Sequence, residues 1–299
     1  MKKTQGQVID MFKGSYVALV TPFHPDGTVN FEKLKELCRW HIDNGTDGLV
    51  ILGTTGESST TEHAEDAAIV RCVVDCVGGA IPVIAGGGSN STETSLMKSR
   101  TFRDCGVDGL LLITPYYNKA NQKGMYRHFA TVAEQVKLPI LLYNVPSRTG
   151  CSLSLDCISE LAKIDNIKGI KEASGNISFA AKVANVCNDD FVMMSGNDDM
   201  VVPILSLGGT GVISVWANLC PREVHELCQA WFDGDVEKAR KMQLKYLDLI
   251  NALFIEVNPI PIKEAMNLRG MEVGGYRLPL CEMDEANRAK LIQAMKVLD

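Results

Sequence analysis

Short aliphatic runs recur along this chain at near-even spacing, and each is followed by a stretch with a helical polar face. The runs are SYVALVTPF (15–23), DGLVILG (47–53), IPVIAGG (81–87), GLLLITPYY (109–117), PILLYNV (139–145), IKGIKEAS (167–174), FVMMSG (191–196) and GVISVWA (211–217). Between them lie segments such as NFEKLKELCRWHIDNG and STETSLMKSRTFRDCG. Near-continuous apolar strands that alternate with helices belong to a parallel sheet covered on both faces. Eight such units without a Gly-rich dinucleotide turn favour closure over a doubly wound sheet. The expected fold is an α/β (β/α)8 TIM barrel.

After the eighth unit the alternation stops. PREVHELCQAWFDG closes the barrel, and DVEKARKMQLKYLDLINALFIE, PIKEAMNLRG and MDEANRAKLIQAMKVLD all read as helix. Gly234 can end one helix and Asp235 can cap the next. NPIP (258–261) breaks the run, because proline lacks a backbone donor and clashes with the preceding turn. The expected organisation is a disordered extension over residues 1–10, a barrel carrying the active site over 11–234 and a C-terminal helical extension over 235–299.

Composition removes several function classes. A net charge of −6 argues against a nucleic-acid partner, which calls for a basic patch. No apolar run is long enough to cross a membrane, and MKKTQGQVID has no apolar core of a secretory signal. The ten cysteines form no C-x-x-C and are expected to be reduced and mostly buried in a cytoplasmic protein. The five histidines form neither H-x-H nor H-x-x-x-H, so no metal site is expected. Asn90 and Asn176 match the glycosylation acceptor but read better as helix N-caps.

In a (β/α)8 barrel, chemistry sits at the C-terminal ends of the strands. Those ends read GTTGESST (53–60), TPYYNK (114–119), YNVPSRTG (143–150) and KEASG (171–175). Phosphate recognition is disfavoured. SGNDDM and WANLCP, after strands 7 and 8, lack a basic residue, and GGTG (208–211) precedes strand 8 and reads as a tight turn. In the IKGIKEAS strand, Ile167, Gly169 and Lys171 are expected on one face. A barrel interior desolvates Lys171 and lowers its pKa from about 10.4 toward about 7–8, where a free amine can attack a ketone and form a Schiff base. The protonated imine then acts as an electron sink. Tyr143, one strand away, can shuttle protons, with Tyr117 and Thr54 as hydroxyl relays. A helix opening at GTTG can hold a small carboxylate on its N–H groups. These residues give an imine-forming aldolase acting on a 2-oxo acid.

The motifs MFKGSYVALVTPF, GTTGES, TPYYN, YNVPSRTG, GIKEASG, GVISV and NPIPIK together resemble the dihydrodipicolinate synthases, pyruvate-dependent Schiff-base aldolases, over nearly the whole chain from Met11. The resemblance implies condensation of pyruvate with L-aspartate 4-semialdehyde on the diaminopimelate route to lysine, with no metal or organic cofactor. It implies that Lys171 forms the imine and that Tyr143, Thr54 and Tyr117 form the proton relay, Tyr117 crossing a dimer interface. It implies that Thr55 holds the pyruvate carboxylate, Arg148 the carboxylate of the second substrate, and that the Ile213 carbonyl lines the site. A homotetramer built as a dimer of dimers is implied as well.

Two relatives within the family, N-acetylneuraminate lyase and the 2-keto-3-deoxy sugar acid aldolases, share the lysine and tyrosine. Arg148 argues against them, since a planar fork suits a carboxylate. A non-catalytic oxo- or amino-acid sensor would need no desolvated amine. One departure is Asn197, where the family often has aspartate. Some members bind lysine in a cleft, and Ser58, His63, Asn90 and Tyr116 match its lining. Asp66 and Thr94 depart from it, Thr94 standing where a glutamate contacts the ligand. Weak or absent inhibition by lysine is expected, with Asp66 restoring part of the affinity if its arm reaches.

Overall fold

The computed structural model describes residues 11–299; the expected disordered extension, residues 1–10, lies outside them. The described strands are β1 (Gly14–Ala18), β2 (Gly48–Ile51), β3 (Val83–Gly86), β4 (Gly109–Ile113), β5 (Ile140–Asn144), β6 (Ile167–Glu172), β7 (Val192–Ser195) and β8 (Gly211–Ser214). They close into a barrel in the order β1 to β8, so the expected fold is the observed one. Every strand residue except Gly86 and Ile113 is buried. That is why the strands read as continuous apolar runs: one face packs the interior and the other meets helices.

The helices alternate with the strands: α1 (Phe31–Asp43), α2 (His63–Val77), α3 (Thr92–Asp104), α4 (Gln122–Val136), α5 (Leu155–Leu161), α6 (Ile177–Ala184), α7 (Val201–Ser206) and α8 (Pro221–Phe232). Side-chain caps set many of the starts, each worth about 0.5–2 kcal/mol. Asn30, Asn121, Ser154, Asn176 and Asp235 accept from Lys33, Gly124, Cys157, Phe179 and Lys238 N–H groups. Asn176 is thus a cap as expected, but Asn90 is not. Helix α3 starts at Thr92 and is capped by Ser91, while the Asn90 carbonyl accepts from Asn118 Nδ2 at 2.9 Å.

Beyond α8 come α9 (Val236–Lys245), α10 (Leu247–Ala252), α11 (Ile260–Leu268) and α12 (Glu285–Met295). The long helix expected over 235–256 breaks at Tyr246, whose ring packs 4.9 Å from that of Trp216. Four of the ten cysteines are buried rather than most of them, and no disulfide joins any among the described residues.

The chain forms two compact units. One is Pro82–Ile213 with residues 11–14; the other is Ser15–Ile81 with Ser214–Asp299. In the first, β3 through β8 pair in parallel, with Tyr143 opposite Lys171 and Lys171 opposite Met194. The register skips between Ile140 and Leu141, whose partners are Ile167 and Gly169. Lys168 is left over as a bulge, so the regular alternation expected from Ile167 holds only from Gly169 onward. In the second unit β1 pairs with β2, and the Asn218 side chain pins the end of β1 by donating to Ala18 O at 2.7 Å and accepting from Val20 N at 3.1 Å.

Candidate active site

Lys171 and Tyr143 stand at the C-terminal ends of adjacent strands, in register and on one face. The Lys171 Nζ lies 4.3 Å from the centroid of the Tyr143 ring. Both side chains are buried. Burial pulls the amine down from 10.5 to about 8; the Asp198 carboxylate pushes it up and the Arg148 guanidinium pulls it down. A lysine held this way has a substantial neutral fraction near neutral pH, which a nucleophilic amine requires.

The same unit carries further residues around this pair. Arg148 lies in a single helical turn, Pro146–Thr149, after β5, with its side chain exposed. Gly150, at φ 69, ends that turn in the left-handed region. Ile213 lies on β8 with its side chain buried. Tyr117 is 88% exposed with φ 73, so its ring does not share the buried setting of Tyr143. Gly196 closes β7 against Lys171: a Cβ there would meet Lys171 Cε at 3.1 Å and Ala173 Cβ at 2.5 Å. Asp198, buried in the loop after β7, influences the amine through space, a role that sequence reasoning missed. The signal was the acidic pair beside Asn197.

The second unit holds Thr54 and Thr55. The sequence leads one to expect a helix opening at GTTGES, but none opens there; α2 begins only at His63. It folds instead as a compact turn in which Glu57 N–H donates to Thr54 O at 3.1 Å. Leu52 and Glu57 flank it at φ 52 and φ 54, a region that non-glycine residues enter rarely and at a cost. The C-terminal helices supply the restraint. Asn258 Nδ2 donates to Thr55 Oγ1 at 2.9 Å, which leaves the threonine proton to be donated elsewhere. Lys263 Nζ reaches Glu57 Oε1 at 2.7 Å, and Arg277 N–H donates to Glu57 Oε2 at 3.2 Å. Arg277 also grips Glu65 through two bonds of 2.6 and 2.7 Å. Asn258, Lys263 and Glu57 were missed as site supports. NPIPIK shows a charged residue inside an apolar run, which is the available signal.

Of the residues that the resemblance assigns to a lysine cleft, Ser58 is half-buried, His63 exposed, Asn90 half-buried and Tyr116 39% exposed. Asp66 does not extend outward. It is 1% exposed and accepts from Thr61 Oγ1 at 2.6 Å, with His63 Nδ1 at 3.7 Å. Its carboxylate is therefore committed inside the protein. No group of three or more potential metal ligands occurs among the described residues, and no described helix is long and apolar enough to cross a membrane.

A desolvated lysine beside a tyrosine at the end of a (β/α)8 strand marks a lyase of the class I aldolase type. A sequence profile described as the dihydrodipicolinate synthetase family matches residues 11–298. A 4-hydroxy-tetrahydrodipicolinate synthase of Clostridium novyi is 51% identical, over 96% of each chain. A dihydrodipicolinate synthase of Cyanidioschyzon merolae, solved with lysine bound, superposes with a TM-score of 0.93 at 39% identity, covering 96% of this chain and 98% of that one. A structure described as a monomeric dihydrodipicolinate synthase variant gives 0.94 at 39% identity, covering 97% of both. The chain belongs to the dihydrodipicolinate synthetase family. Its activity is that of a 4-hydroxy-tetrahydrodipicolinate synthase.

Proposed function

We propose that Lys171 is the amine that binds pyruvate covalently and that L-aspartate 4-semialdehyde is the second substrate. The observation that carries this is the buried Lys171 amine above the Tyr143 ring, with its pKa pulled down to about 8. The free amine attacks the pyruvate ketone and water leaves, giving an imine. Tyr143, with Thr54 and Tyr117 as relays, moves the protons. The protonated imine nitrogen draws electrons from the adjacent methyl carbon, which loses a proton to become an enamine, so no metal or organic cofactor is needed. The enamine carbon attacks the aldehyde. The amino group of the adduct then adds to the imine carbon and expels Lys171, closing the ring with one water lost overall.

Thr55 holds the pyruvate carboxylate in this scheme, consistent with the Asn258 amide that leaves the threonine proton to be donated elsewhere. Arg148 takes the semialdehyde carboxylate, and the Ile213 carbonyl lines the site. The exposure of Tyr117 supports a role across an interface between copies of the chain. The assembly in this reading is a homotetramer, a dimer of dimers, working in the cytoplasm. Borohydride added with pyruvate tests the core of the scheme. The wild-type chain gains a pyruvate-derived mass, and Lys171→Ala gains none and loses turnover. A Lys171→Ala chain that is still trapped, or that still condenses, refutes it.

Ser58, His63, Asn90 and Tyr116 form the candidate lysine site, and inhibition through it is weak. Thr94 lacks the carboxylate that would meet an amino group, and Asp66 is held by Thr61. One missing charge-assisted bond costs about 1.5–3 kcal/mol, roughly ten- to hundredfold in affinity. Thr94→Glu is expected to sharpen inhibition. A wild-type inhibition midpoint well below about 1 mM (about 4 kcal/mol of binding) contradicts this.

A further inference from the structure

Tyr143 and Lys171 share one face of the β5–β6 ladder, so the next residues, Asn144 and Glu172, share the other. Both are buried. Asn144 Nδ2 donates to Glu172 Oε2 at 2.9 Å, and Ser174 N–H donates to Glu172 Oε1 at 2.7 Å. Asn144 Oδ1 accepts from Leu153 N–H at 3.1 Å and from Ser152 Oγ at 3.2 Å. Leu153 is nine positions on, where the chain returns from the loop that carries Arg148. Asn144 therefore grips that loop at both ends, by its backbone at the start and its side chain at the finish. On the far side of β6, Gly196 N–H donates to the Glu172 carbonyl at 2.7 Å, tying in the β7 end that packs on Lys171.

The donors and acceptors of this cluster leave little choice of residue. Glu172 meets a donor at each of its two oxygens, which a carboxylate can satisfy and an amide cannot. Asn144 must donate on one side and accept on the other, which an amide can do and a carboxylate cannot. Burial makes each mismatch costly, because a lost partner is not replaced by water.

We propose that Asn144 and Glu172 are positioning residues, a hydrogen-bonded clasp on the outer face of β5 and β6 that holds Lys171 against Tyr143 and anchors the Arg148 loop. The clasp touches no substrate and acts through the residues on the other face. It rests on the reading of Lys171 as the imine-forming amine.

The chemistry supplies a swap test. In Glu172→Gln the amide NH2 is forced against one of two donors. In Asn144→Asp two carboxylates face each other. In the double variant the amide now on β6 donates to the carboxylate now on β5 and still accepts from Ser174. That carboxylate still accepts from Leu153 and Ser152, so every bond is restored with the charge conserved. The rate of borohydride-trapped imine formation at saturating pyruvate is measured for wild type, both single variants and the double variant. KM for the semialdehyde and a thermal melt accompany it. Each single change is expected to slow trapping about tenfold, the scale of one unmet buried bond, and to raise KM. The double variant is expected to return to within about threefold of wild type on both. A general loss of folding would lower the active fraction without moving KM, so KM separates positioning from stability. Single variants that trap as fast as wild type, or a double variant as impaired as either single, whether or not the singles fold, overturn the clasp. A wild-type chain that pyruvate and borohydride do not label removes the imine reading and this proposal with it.

Discussion

Lys171 and Lys263 are both buried lysines with Nζ 4.3 Å from an aromatic centroid, Tyr143 for one and Phe23 for the other. Burial lowers the pKa of both. What differs is the bonded partner. Lys263 donates to Glu57 at 2.7 Å and to the Gly275 carbonyl at 2.5 Å, so losing its proton would strand a buried carboxylate. No carboxylate is hydrogen-bonded to Lys171 among the described residues; Asp198 acts on it only through space. Burial with a bonded counter-ion gives a structural pin, and burial without one gives the lowered pKa that the proposed nucleophile needs. The pin holds the GTTGES turn, so the two lysines serve one enzyme by opposite means.

The largest expected contrast comes from replacing each lysine with methionine. Lys171→Met should cut turnover by roughly 10^4-fold or more, the scale of removing a covalent nucleophile. It should nevertheless stabilise the fold. Lys171 falls from 10.5 to about 8 in the folded chain, so below about pH 8 the folded state carries a protonation penalty of roughly 3 kcal/mol. Between about 8 and 10.5 the unfolded chain binds the proton and the folded one does not, so wild-type stability rises with pH and the penalty fades. Urea unfolding should therefore show Lys171→Met ahead of wild type at pH 7 and level with it above about 10.5. A destabilised variant at pH 7 would mean that the amine is not held against its charge.

Lys263→Met should behave in the reverse way. It leaves Glu57 buried without its cation, an effect on the order of 3–5 kcal/mol. Adding Glu57→Gln removes the stranded charge yet keeps an acceptor for the Arg277 N–H, so the double variant should recover about half of that loss. If Lys263→Met unfolds at the wild-type urea midpoint, the buried pair is not the pin described here.

The same contrast explains what could be read without coordinates. The buried position of Lys171 beside Tyr143 was legible because the strand pattern places both at the ends of neighbouring strands. The barrel was legible because eight near-continuous aliphatic runs alternate with helical segments. Lys263 was not, because its partner Glu57 lies far away in sequence and neither residue carries a local periodic signal. The GTTGES turn was misread as a helix start because threonine and glycine favour caps and turns alike, and its φ-positive Glu57 depends on the C-terminal helices. Asp66 was misplaced because a helical pattern gives a face but not a partner, and Thr61 turns it inward. Asn144 and Glu172 were passed over beside the reactive pair, since their roles appear only once β5 and β6 are in register.

The smallest expected effects lie in two glycines, and they sharpen the comparison most finely. A Cβ on Gly196 would sit 3.1 Å from Lys171 Cε and 2.5 Å from Ala173 Cβ. One on Gly274, at φ +78, would meet the Phe23 carbonyl oxygen at 1.9 Å, beside the Gly275 carbonyl that accepts from Lys263. Either alanine overpacks a close contact, at about 1–3 kcal/mol. Gly274→Ala adds the strain of a left-handed backbone, about 1–2 kcal/mol more. The consequences should separate by lysine. Gly196→Ala displaces the amine by a few tenths of an ångström, so imine trapping at saturating pyruvate should slow about tenfold per folded molecule, on the scale of a misplaced reacting group. Gly274→Ala should lower the unfolding midpoint further while the folded fraction traps pyruvate at close to the wild-type rate. The measurement is the trapping rate divided by the folded fraction from the same sample. If both glycine variants lower that ratio equally, the two lysine sites are not separable into chemistry and support, because a disturbance at the pin would then reach the nucleophile undiminished.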